Sequence, residues 1–329
     1  MNKVIVTGGA GYLGSHTCLK LIEEGYIPIV IDNFSNTNIK NIKGIENISR
    51  KPLRFHKIDC NVTENVNNVL KNEKGIIGAI HFAGFKSVEE SLREPEKYFK
   101  NNLGSLKSLI EVFKMNNFNN IIFSSSCTVY GNPDSLPVEE NAPFKKDISP
   151  YGKTKQLCEE MIKESKLFSV RLRYFNPIGS HKSGLIGDRS NDKPTNLVPV
   201  MCEVASGKRA KLIVNGIDYK TKDGSCVRDY IHVEDLAAAH TNALSYCIKN
   251  QNQSVFNIGT GKGLSVLETI KLFEKVNEMK LNCEFGPRRK GDIAKIYSNT
   301  KKSMKLLKWK SNKTIEEALK SSWEWEIKK

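Results

Sequence analysis

Two residues four positions apart, Tyr151 and Lys155, have the types and the spacing for proton transfer. On a helix, side chains four residues apart lie on one face, one turn above the other. A tyrosine phenol has a pKa near ~10 and is a poor base at neutral pH, but a neighbouring ammonium stabilises the phenolate and lowers that pKa. Such a pair can remove a hydroxyl proton while hydride leaves the same carbon. The pattern also occurs on helices where the tyrosine packs and the lysine is solvated, so its surroundings decide its meaning.

A run of hydroxyl side chains precedes this pair. The apolar segment 120–124 predicts a strand, and it continues into Ser124, Ser125 and Ser126. In sheets of parallel strands, ligands bind outside the carboxyl ends of the strands. We therefore expect the Ser126 hydroxyl to lie close to a bound ligand and to connect a substrate hydroxyl with Tyr151. For the other two serines, a hydroxyl that bonds its own backbone is an equally good interpretation.

A glycine turn near the beginning of the chain suits a pyrophosphate. Gly8, Gly11 and Gly14 follow a short apolar strand and precede a helical segment. Glycines allow the backbone to turn tightly and to approach the anion, and the following helix directs its free amides at it. Asp32 ends the next predicted strand, where a carboxylate accepts hydrogen bonds from ribose hydroxyls and repels a 2′-phosphate. The combination predicts NAD rather than NADP; a glycine-rich turn without a ligand is the alternative.

The elements that position these residues alternate between strand and helix. The strands are continuous apolar runs, which is typical of a parallel sheet covered by helices on both faces. The predicted strands are residues 4–6, 27–31, 53–58, 76–82, 120–124, 169–174 and 255–258, and the predicted helices are 15–24, 63–72, 87–115 with an interruption at Pro95, 151–164, 233–244 and 314–326. The fold class is therefore α/β, a doubly wound Rossmann-type parallel sheet with a smaller C-terminal substrate-binding lobe.

Domain boundaries follow from where this alternation loosens. We expect residues 1–175 to form the NAD-binding domain, with 229–262 returning to it. We expect residues 176–228 and 263–329 to form the substrate-binding lobe.

Composition narrows the class of protein. The 329 residues are 39% hydrophobic and 26% charged, as in ordinary globular proteins, and no apolar run reaches the ~20 residues of a membrane span. The first residues already predict a strand, so we expect no signal peptide and a cytoplasmic protein. The net charge of +15 comes from dispersed lysines without a nucleic-acid-binding motif, so neither nucleic acid nor membrane is an expected partner. Eight scattered cysteines lack metal-ligand spacing; we expect free thiols and no metal site.

Several segments together resemble the extended short-chain dehydrogenase/reductase family, and among its members the 4-epimerases of UDP-hexoses. The order and spacing of the segments match over nearly the whole chain. The segments are residues 7–16, 81–84, 124–131, 149–155, 173–177, 227–233 and 287–292.

The resemblance implies a role for individual residues. Tyr151 is implied as the base and Lys155 as its modulator, with Ser126 in the proton path. The residues implied in cofactor binding are Gly8, Gly11, Tyr12, Leu13, Gly14, Asp32, Asn33, Asp59, Cys60, Phe82, Ala83, Gly84, Lys86, Asn101, Ser124, Tyr151, Lys155 and Tyr174. Those implied in substrate binding are Lys86, Ser126, Thr128, Tyr151, Phe175, Asn176, Asn196, Leu197, Arg228, Arg289 and Asp292.

The same resemblance implies a reaction. UDP-glucose and UDP-galactose, sugars of galactose metabolism, would be interconverted through oxidation at C4, rotation of a 4-keto sugar and return of hydride. NAD would be regenerated in each turnover and stay bound. The resemblance also implies a homodimer, formed through the helices around 90–117 and 151–165.

Some positions depart from the commonest pattern. Asn215 stands where an aromatic residue often packs near uracil, so the usual stacking on the base is not expected there. Ile296 stands at a variable wall of the sugar pocket, where a small residue is associated with N-acetylated sugars; because isoleucine is intermediate in size, we expect weak activity on UDP-N-acetylglucosamine. A nucleotide-sugar 4,6-dehydratase needs an acid pair where this chain has Cys127 and Thr128, which disfavours that enzyme. A non-enzymatic NAD-sensing protein typically loses the catalytic tyrosine, which Tyr151 argues against.

Overall fold

The computed structural model describes residues 2–146, 148–191, 193–289 and 291–329. Its strands are β1 (Lys3–Thr7), β2 (Ile27–Ile31), β3 (Arg54–His56), β4 (Ile76–His81), β5 (Asn120–Ser126), β6 (Phe168–Tyr174), β7 (Asn176–Ile178), β8 (Leu212–Asn215), β9 (Val227–Arg228), β10 (Tyr230–His232), β11 (Gln253–Ile258), β12 (Leu264–Ser265), β13 (Cys283–Gly286) and β14 (Lys295–Ile296). Its helices are α1 (Tyr12–Glu23), α2 (Lys40–Ser49), α3 (Thr63–Lys71), α4 (Val88–Arg93), α5 (Pro95–Met115), α6 (Pro150–Ser165), α7 (Leu197–Ala205), α8 (Val233–Asn250), α9 (Val266–Val276) and α10 (Ile315–Lys328).

Seven of these strands form one sheet in the order β11-β6-β5-β4-β1-β2-β3. Every neighbouring pair in it is parallel. Parallel neighbours need crossover connections, and the helices between the strands supply them. The predicted fold class, a Rossmann-type α/β fold with a parallel sheet, is confirmed.

Alternate residues of the sheet face two apolar layers. Val4 and Val6 pack in one buried cluster, and Ile5 between them packs in the other. The first cluster includes residues of α1, α2 and α8, whereas the second includes residues of α3, α5 and α6. Because both faces are covered, each strand is apolar throughout, and this explains why the strands were visible as continuous runs.

A third cluster of buried side chains lies outside the main sheet. It brings together residues of α7, β8, α9 and α10, including Met201, Val214, Phe273 and Leu319. Three small sheets connect this region: β10 pairs with β7, β13 pairs with β8, and β9 lies between β12 and β14. The short pairing of β7 with β10 links the end of the main sheet to the segment that carries Arg228.

Two differences from the predicted elements have a physical reason. Helix α2 was not predicted, because its asparagines and its glycine disfavour a helix locally. Ile42 and Ile45 are fully buried in the first cluster, and this tertiary packing outweighs the local preference. Helix α1 begins at Tyr12, three residues before its predicted start, so the first turn of the helix forms directly after the glycine turn. The interruption predicted at Pro95 is observed, between α4 and α5.

The described helices include none with the length and apolar character that crossing a membrane requires.

Candidate active site

The glycine turn between β1 and α1 leaves no room for side chains. Gly8 has a φ of +69°, and a Cβ atom there would lie 2.8 Å from the backbone nitrogen of Ala83. A Cβ atom at Gly14 would lie 2.2 Å from the carbonyl oxygen of Gly8. Gly11 is the N-cap of α1 and provides no side-chain cap, so the amides of the first turn keep their hydrogen-bonding capacity for a ligand. The turn is therefore a cradle of the kind that holds a pyrophosphate.

Asp32 closes one side of this cradle. Its carboxylate accepts hydrogen bonds from the backbone nitrogens of Ala10, at 3.1 Å, and Phe34, at 2.9 Å. Burial raises the pKa of this carboxyl above its usual value, and the two amide bonds oppose that rise. Asn33, the next predicted residue, is exposed and accepts a hydrogen bond from the amide of Ser35. Asp32 is thus fixed at the carboxyl end of β2, with its charge beside the glycine turn.

Two of the predicted cofactor residues meet through a third that the sequence did not single out. The Asn61 side chain donates hydrogen bonds to Asp59 Oδ1, at 2.8 Å, and to Asn101 Oδ1, at 3.0 Å. Cys60, which stands between Asp59 and Asn61 in the sequence, is buried. An asparagine in a polar loop carries no local signal for this role, since the contact depends on α5 lying against the loop.

Lys86 does not stand free beside the cradle. Its ammonium lies 3.1 Å from Asp188 Oδ2 and 5.9 Å from the centroid of the Tyr12 ring. Tyr12 in turn donates a hydrogen bond to the carbonyl oxygen of Gly179, at 2.6 Å. The segment around Gly179 and Asp188 is thereby held against the glycine turn.

The three predicted catalytic residues meet at the carboxyl end of β5. The Ser126 hydroxyl lies close enough to Tyr151 to lower the pKa of its phenol. The Lys155 ammonium donates a hydrogen bond to the carbonyl oxygen of Ser124, at 2.7 Å, and lies 5.8 Å from the centroid of the Tyr151 ring. The Ser124 hydroxyl is hydrogen-bonded to Tyr174, which ends β6. Two strands and helix α6 therefore hold the phenol, the ammonium and two hydroxyls in one group.

The electrostatics of this group correct one expectation. Burial raises the pKa of Tyr151 well above its ordinary value, while the Ser126 hydroxyl acts in the opposite direction. Burial also lowers the pKa of Lys155 to about 8. The predicted lowering of the phenol pKa by Lys155 is not observed, because burial of the phenol is the main cause of its shift and Lys155 is not among the main causes. The chain by itself keeps Tyr151 protonated at neutral pH.

A second charged group brings together three predicted substrate residues. Asp292 Oδ1 accepts a hydrogen bond from Arg289 Nη2 at 2.9 Å and lies 3.7 Å from Arg228 Nη2. Arg228 Nη1 also donates to the carbonyl oxygens of Val227 and Ile293. A forked guanidinium suits phosphate oxygens, and here two of them face the same carboxylate.

Cys127 follows Ser126 directly in the chain and packs in a buried cluster with Phe175 and Ile296. Burial raises the pKa of its thiol to about 12, so the side chain is neutral. The hydroxyl oxygen of Thr128 beside it is buried without a hydrogen-bond partner among the described residues. Asn196 is the exposed N-cap of α7, just before Leu197, and its side chain caps no amide of that helix.

The segment that carries Arg228 is fixed by a buried carboxylate that the sequence did not predict. Asp229 accepts hydrogen bonds from the backbone nitrogens of Thr260, Gly261 and Ser298 and from two of their hydroxyls. Its own carbonyl oxygen accepts from the amide of Asn176. The sequence around it, Arg228-Asp229-Tyr230, shows two adjacent opposite charges and gives no local signal that the carboxylate is buried.

Comparison with known proteins agrees with this geometry. Residues 4–259 match the model of the NAD dependent epimerase/dehydratase family. The UDP-glucose 4-epimerase of Bacillus subtilis is 43% identical over 328 residues, which are 98% of this chain and 96% of that protein. The UDP-glucose 4-epimerase of Dictyostelium discoideum is 39% identical over 99% of this chain and 96% of its own length.

Solved structures give the same result. The UDP-glucose 4-epimerase of Bifidobacterium longum, solved with NAD⁺ and UDP, has a TM-score of 0.94 and 40% identity and covers 99% of this chain and 98% of its own. The enzyme of Stenotrophomonas maltophila, solved with NAD and a formylated UDP-arabinopyranose, has a TM-score of 0.96 and 36% identity and covers 99% of this chain and 98% of its own. The chain belongs to the NAD-dependent epimerase/dehydratase family.

Proposed function

We propose that this protein interconverts UDP-glucose and UDP-galactose by reversible oxidation at C4 of the hexose. The observation that carries the proposal is the group at the end of β5, in which Tyr151 lies beside Ser126, and Lys155 donates a hydrogen bond to the carbonyl oxygen of Ser124. This group can move one proton to and from a sugar hydroxyl. The similarity of the whole chain to UDP-glucose 4-epimerases supports the choice of substrate.

The cradle fits NAD. A Cβ atom at Gly8 or Gly14 would occupy the space where the backbone approaches a ligand, and Asp32 supplies a carboxylate for the ribose hydroxyls. NAD, when bound, accepts hydride from C4 of the sugar and returns it. The residues that would hold it are Gly8, Gly11, Tyr12, Leu13, Gly14, Asp32, Asn33, Asp59, Cys60, Phe82, Ala83, Gly84, Lys86, Asn101, Ser124, Tyr151, Lys155 and Tyr174.

The residues of the chain divide the remaining work. Tyr151 takes the proton from the C4 hydroxyl, with Ser126 connecting the two oxygens, and returns it to the C4 oxygen after the 4-keto sugar has turned its opposite face to the cofactor. Lys155 adds positive charge close to the developing phenolate, and the charge of the oxidised nicotinamide acts in the same direction. Both are needed because burial alone disfavours the phenolate.

The diphosphate must be held firmly while the 4-keto sugar rotates to present its other face. Arg228 and Arg289 would bind the diphosphate, and Asp292 would exchange its contacts with them for the uridine ribose. The sugar would be held less firmly than the diphosphate. The residues that would contact it are Lys86, Ser126, Thr128, Tyr151, Phe175, Asn176, Asn196 and Leu197. A 4-keto sugar anchored only through its diphosphate is free to present either face.

Selectivity for the sugar would depend on Ile296. Its side chain is buried with Cys127 and Phe175. We propose weak activity on UDP-N-acetylglucosamine, since isoleucine is intermediate in size. No detectable turnover of that sugar at high enzyme concentration would refute this part of the proposal.

The remaining expectations are also proposals. We also propose the division into a domain of 1–175 with 229–262 and a lobe of 176–228 with 263–329, although Ile186, Leu307 and Trp309 of the lobe segments pack in the cluster of the main sheet. Free cysteines, seven of them buried, fit a reducing, cytoplasmic setting. A homodimer through α5 and α6 rests on the family resemblance, and light scattering on the purified protein tests it.

The experiment that tests the function is incubation of the purified protein with UDP-galactose and no added NAD. We expect UDP-glucose to appear, detected by proton NMR, because NAD is retained through purification. Tyr151→Phe should abolish the conversion while the bound NAD remains. Absence of UDP-glucose from a wild-type sample shown to contain NAD would contradict the proposed substrate.

A further inference from the structure

A cavity of about 290 Å³ opens behind the catalytic helix, at the edge of the main sheet. Its lining comes from β6, from the second half of α6 and from Phe144. The charged residues that line it are Glu159, Glu160, Lys163, Arg171 and Arg173. Arg171 lies in the middle of β6 beside the edge strand β11, whereas the catalytic group lies at the carboxyl ends of the strands. The cavity is therefore separate from the proposed active site.

Arg171 is a buried cation without a partner. Its side chain leaves the residue only 9% exposed, and its Nε is buried without a hydrogen-bond partner. Within the described part of the chain, no hydrogen bond or ion pair reaches its guanidinium; Glu159 and Arg173 act on it only at a distance. A largely buried charge without an ion-pair partner is unfavourable, so an anion in the cavity would stabilise this guanidinium.

The nearby Arg173, in contrast, has hydrogen-bond partners for its guanidinium. Arg173 donates to both carboxylate oxygens of Glu159, at 2.8 and 2.7 Å, and to the Tyr130 hydroxyl and the Glu140 carbonyl oxygen. Glu159 also accepts from the Ser125 hydroxyl, at 2.5 Å. The hydrogen-bonding capacity of Glu159 is thus used by Arg173 and Ser125, so Glu159 acts on Arg171 only at a distance and forms no ion pair with it.

The other groups around the cavity set its charge. Lys163, one turn after Glu159 on α6, adds a second positive charge at the cavity. Glu160 is exposed, contributes the one uncommitted negative charge of the lining, and lies beyond ion-pair distance of Arg171 among the described contacts. The Phe144 ring lies 5.0 Å from the Arg173 guanidinium and forms an apolar wall. The cavity therefore has an excess of positive charge.

We propose that this cavity binds a small oxyanion, a phosphate or a carboxylate group, on Arg171 with Lys163 beside it. A planar guanidinium offers two parallel N–H donors that match either group. The anion would lie next to the Arg173–Glu159 pair, and Glu159 contacts Ser125, which lies between the Ser124 carbonyl that holds Lys155 and the Ser126 hydroxyl. Anion binding would thus stabilise the rear of the helix that carries Tyr151.

The test is calorimetric titration at constant ionic strength with inorganic phosphate and, separately, with acetate. A background with both Arg228→Gln and Arg289→Gln removes the two other guanidiniums proposed to bind phosphate. We expect one anion per chain, and at least about tenfold weaker binding after Arg171→Gln, since a charge-assisted bidentate pair is lost. The exposed Arg93→Gln serves as the matched control and should bind as before. The anion that binds more tightly identifies the preferred group; no binding of either, or equal binding to Arg171→Gln, overturns the proposal.

Two further variants keep the test decisive if Arg171→Gln folds poorly. Glu160→Gln removes the competing negative charge and should bind the preferred anion more tightly, whereas Lys163→Gln should bind it more weakly.

Thermal unfolding gives a second measurement. In chloride buffer the melting temperature of Arg171→Gln should be no lower than that of its parent, because an unpaired buried charge is gone. Phosphate should raise the melting temperature of the parent alone. Unchanged binding in both Glu160→Gln and Lys163→Gln would contradict the site. So would a melting temperature of Arg171→Gln that lies below that of its parent by the same amount with and without phosphate, because Arg171 would then contribute only by packing.

Discussion

The ammonium of Lys155 donates a hydrogen bond to the backbone carbonyl oxygen of Ser124 at 2.7 Å, so its position is fixed by the strand and not by Tyr151. Its nitrogen also lies 4.8 Å from the centroid of the Phe123 ring. Burial lowers the pKa of Lys155 to about 8, close to neutral pH. The lysine is thereby held 5.8 Å from the centroid of the Tyr151 ring, where its charge would favour a phenolate formed during the reaction.

Replacement of this lysine separates its charge from its packing. Lys155→Met fills similar space without a charge, and we expect kcat to fall by about 10²–10⁴-fold, the range of a lost acid–base contribution. The measurement is the initial rate of UDP-galactose conversion, normalised to bound NAD. Lys153→Met, an exposed lysine on the same helix, is the control. If the Lys155→Met rate stays within about threefold of wild type, the ammonium has no catalytic role.

Asp32 should decide between the two dinucleotides. Asp32→Asn preserves the shape of the side chain but removes the negative charge that would repel a 2′-phosphate. We expect the ratio of the Kd for NADP to the Kd for NAD to fall at least about tenfold. Titration of protein stripped of cofactor measures both constants, and their ratio is insensitive to a general loss of stability.

The exposed Asp134→Asn, whose carboxylate pairs with Lys145, should leave that ratio unchanged. Were the ratio the same in Asp32→Asn and wild type, the carboxylate would have no part in cofactor selection.

Much of the fold could be predicted because the strands of a parallel sheet are buried on both faces and are therefore apolar throughout. β1, β2 and β4 are apolar without alternation, and the glycine turn marks the first crossover. The two-residue strands β9, β12 and β14 could not be predicted, since two residues carry no period. Helix α2 could not be predicted for a different reason: its stability comes from packing and not from local helix propensity.

The site was predictable in its residue types but not in its connections. Tyr151, Lys155 and Ser126 could be placed from spacing and from strand ends. The pairing of Lys86 with Asp188 joins residues far apart in the chain and leaves no local pattern. The direction of the Tyr151 pKa shift also depends on burial, which only the assembled structure defines.

The buried pair of Arg173 and Glu159 should be costly to break from one side. Both side chains are almost inaccessible, at 6% and 2% exposure, and they form two parallel hydrogen bonds. Glu159→Gln would leave a buried guanidinium without its counterion, and we expect a loss of about 3–5 kcal/mol in the free energy of unfolding. Urea denaturation measures it.

The double variant Arg173→Met with Glu159→Met is the informative control. It removes both charges and should lose less than the sum of the single replacements, since no uncompensated charge remains. Strictly additive losses would show that the two side chains contribute independently and that their pairing adds nothing.

His240 should contribute to acid sensitivity. It is fully buried, its Nδ1 lies 2.8 Å from the Leu236 carbonyl oxygen, and burial lowers its pKa to about 4. The folded state therefore resists a proton that the unfolded chain accepts at its ordinary pKa near ~6.5. The unfolded state binds more protons between these values, so this part of the stability is present above pH ~6.5 and is lost as the pH falls towards 4. One such histidine accounts for about 3 kcal/mol.

His240→Phe removes the proton site and keeps a ring in contact with Phe82, whose ring centroid lies 4.6 Å away. We expect the loss of unfolding free energy between neutral pH and pH 4 to be smaller by about 3 kcal/mol than in wild type, measured by urea denaturation at several pH values. His56→Phe, at a half-buried position of the edge strand β3, is the control. Parallel pH curves for wild type and His240→Phe would mean that the imidazole takes up its proton in the folded state as easily as in the unfolded chain, and that burial of His240 does not limit acid stability.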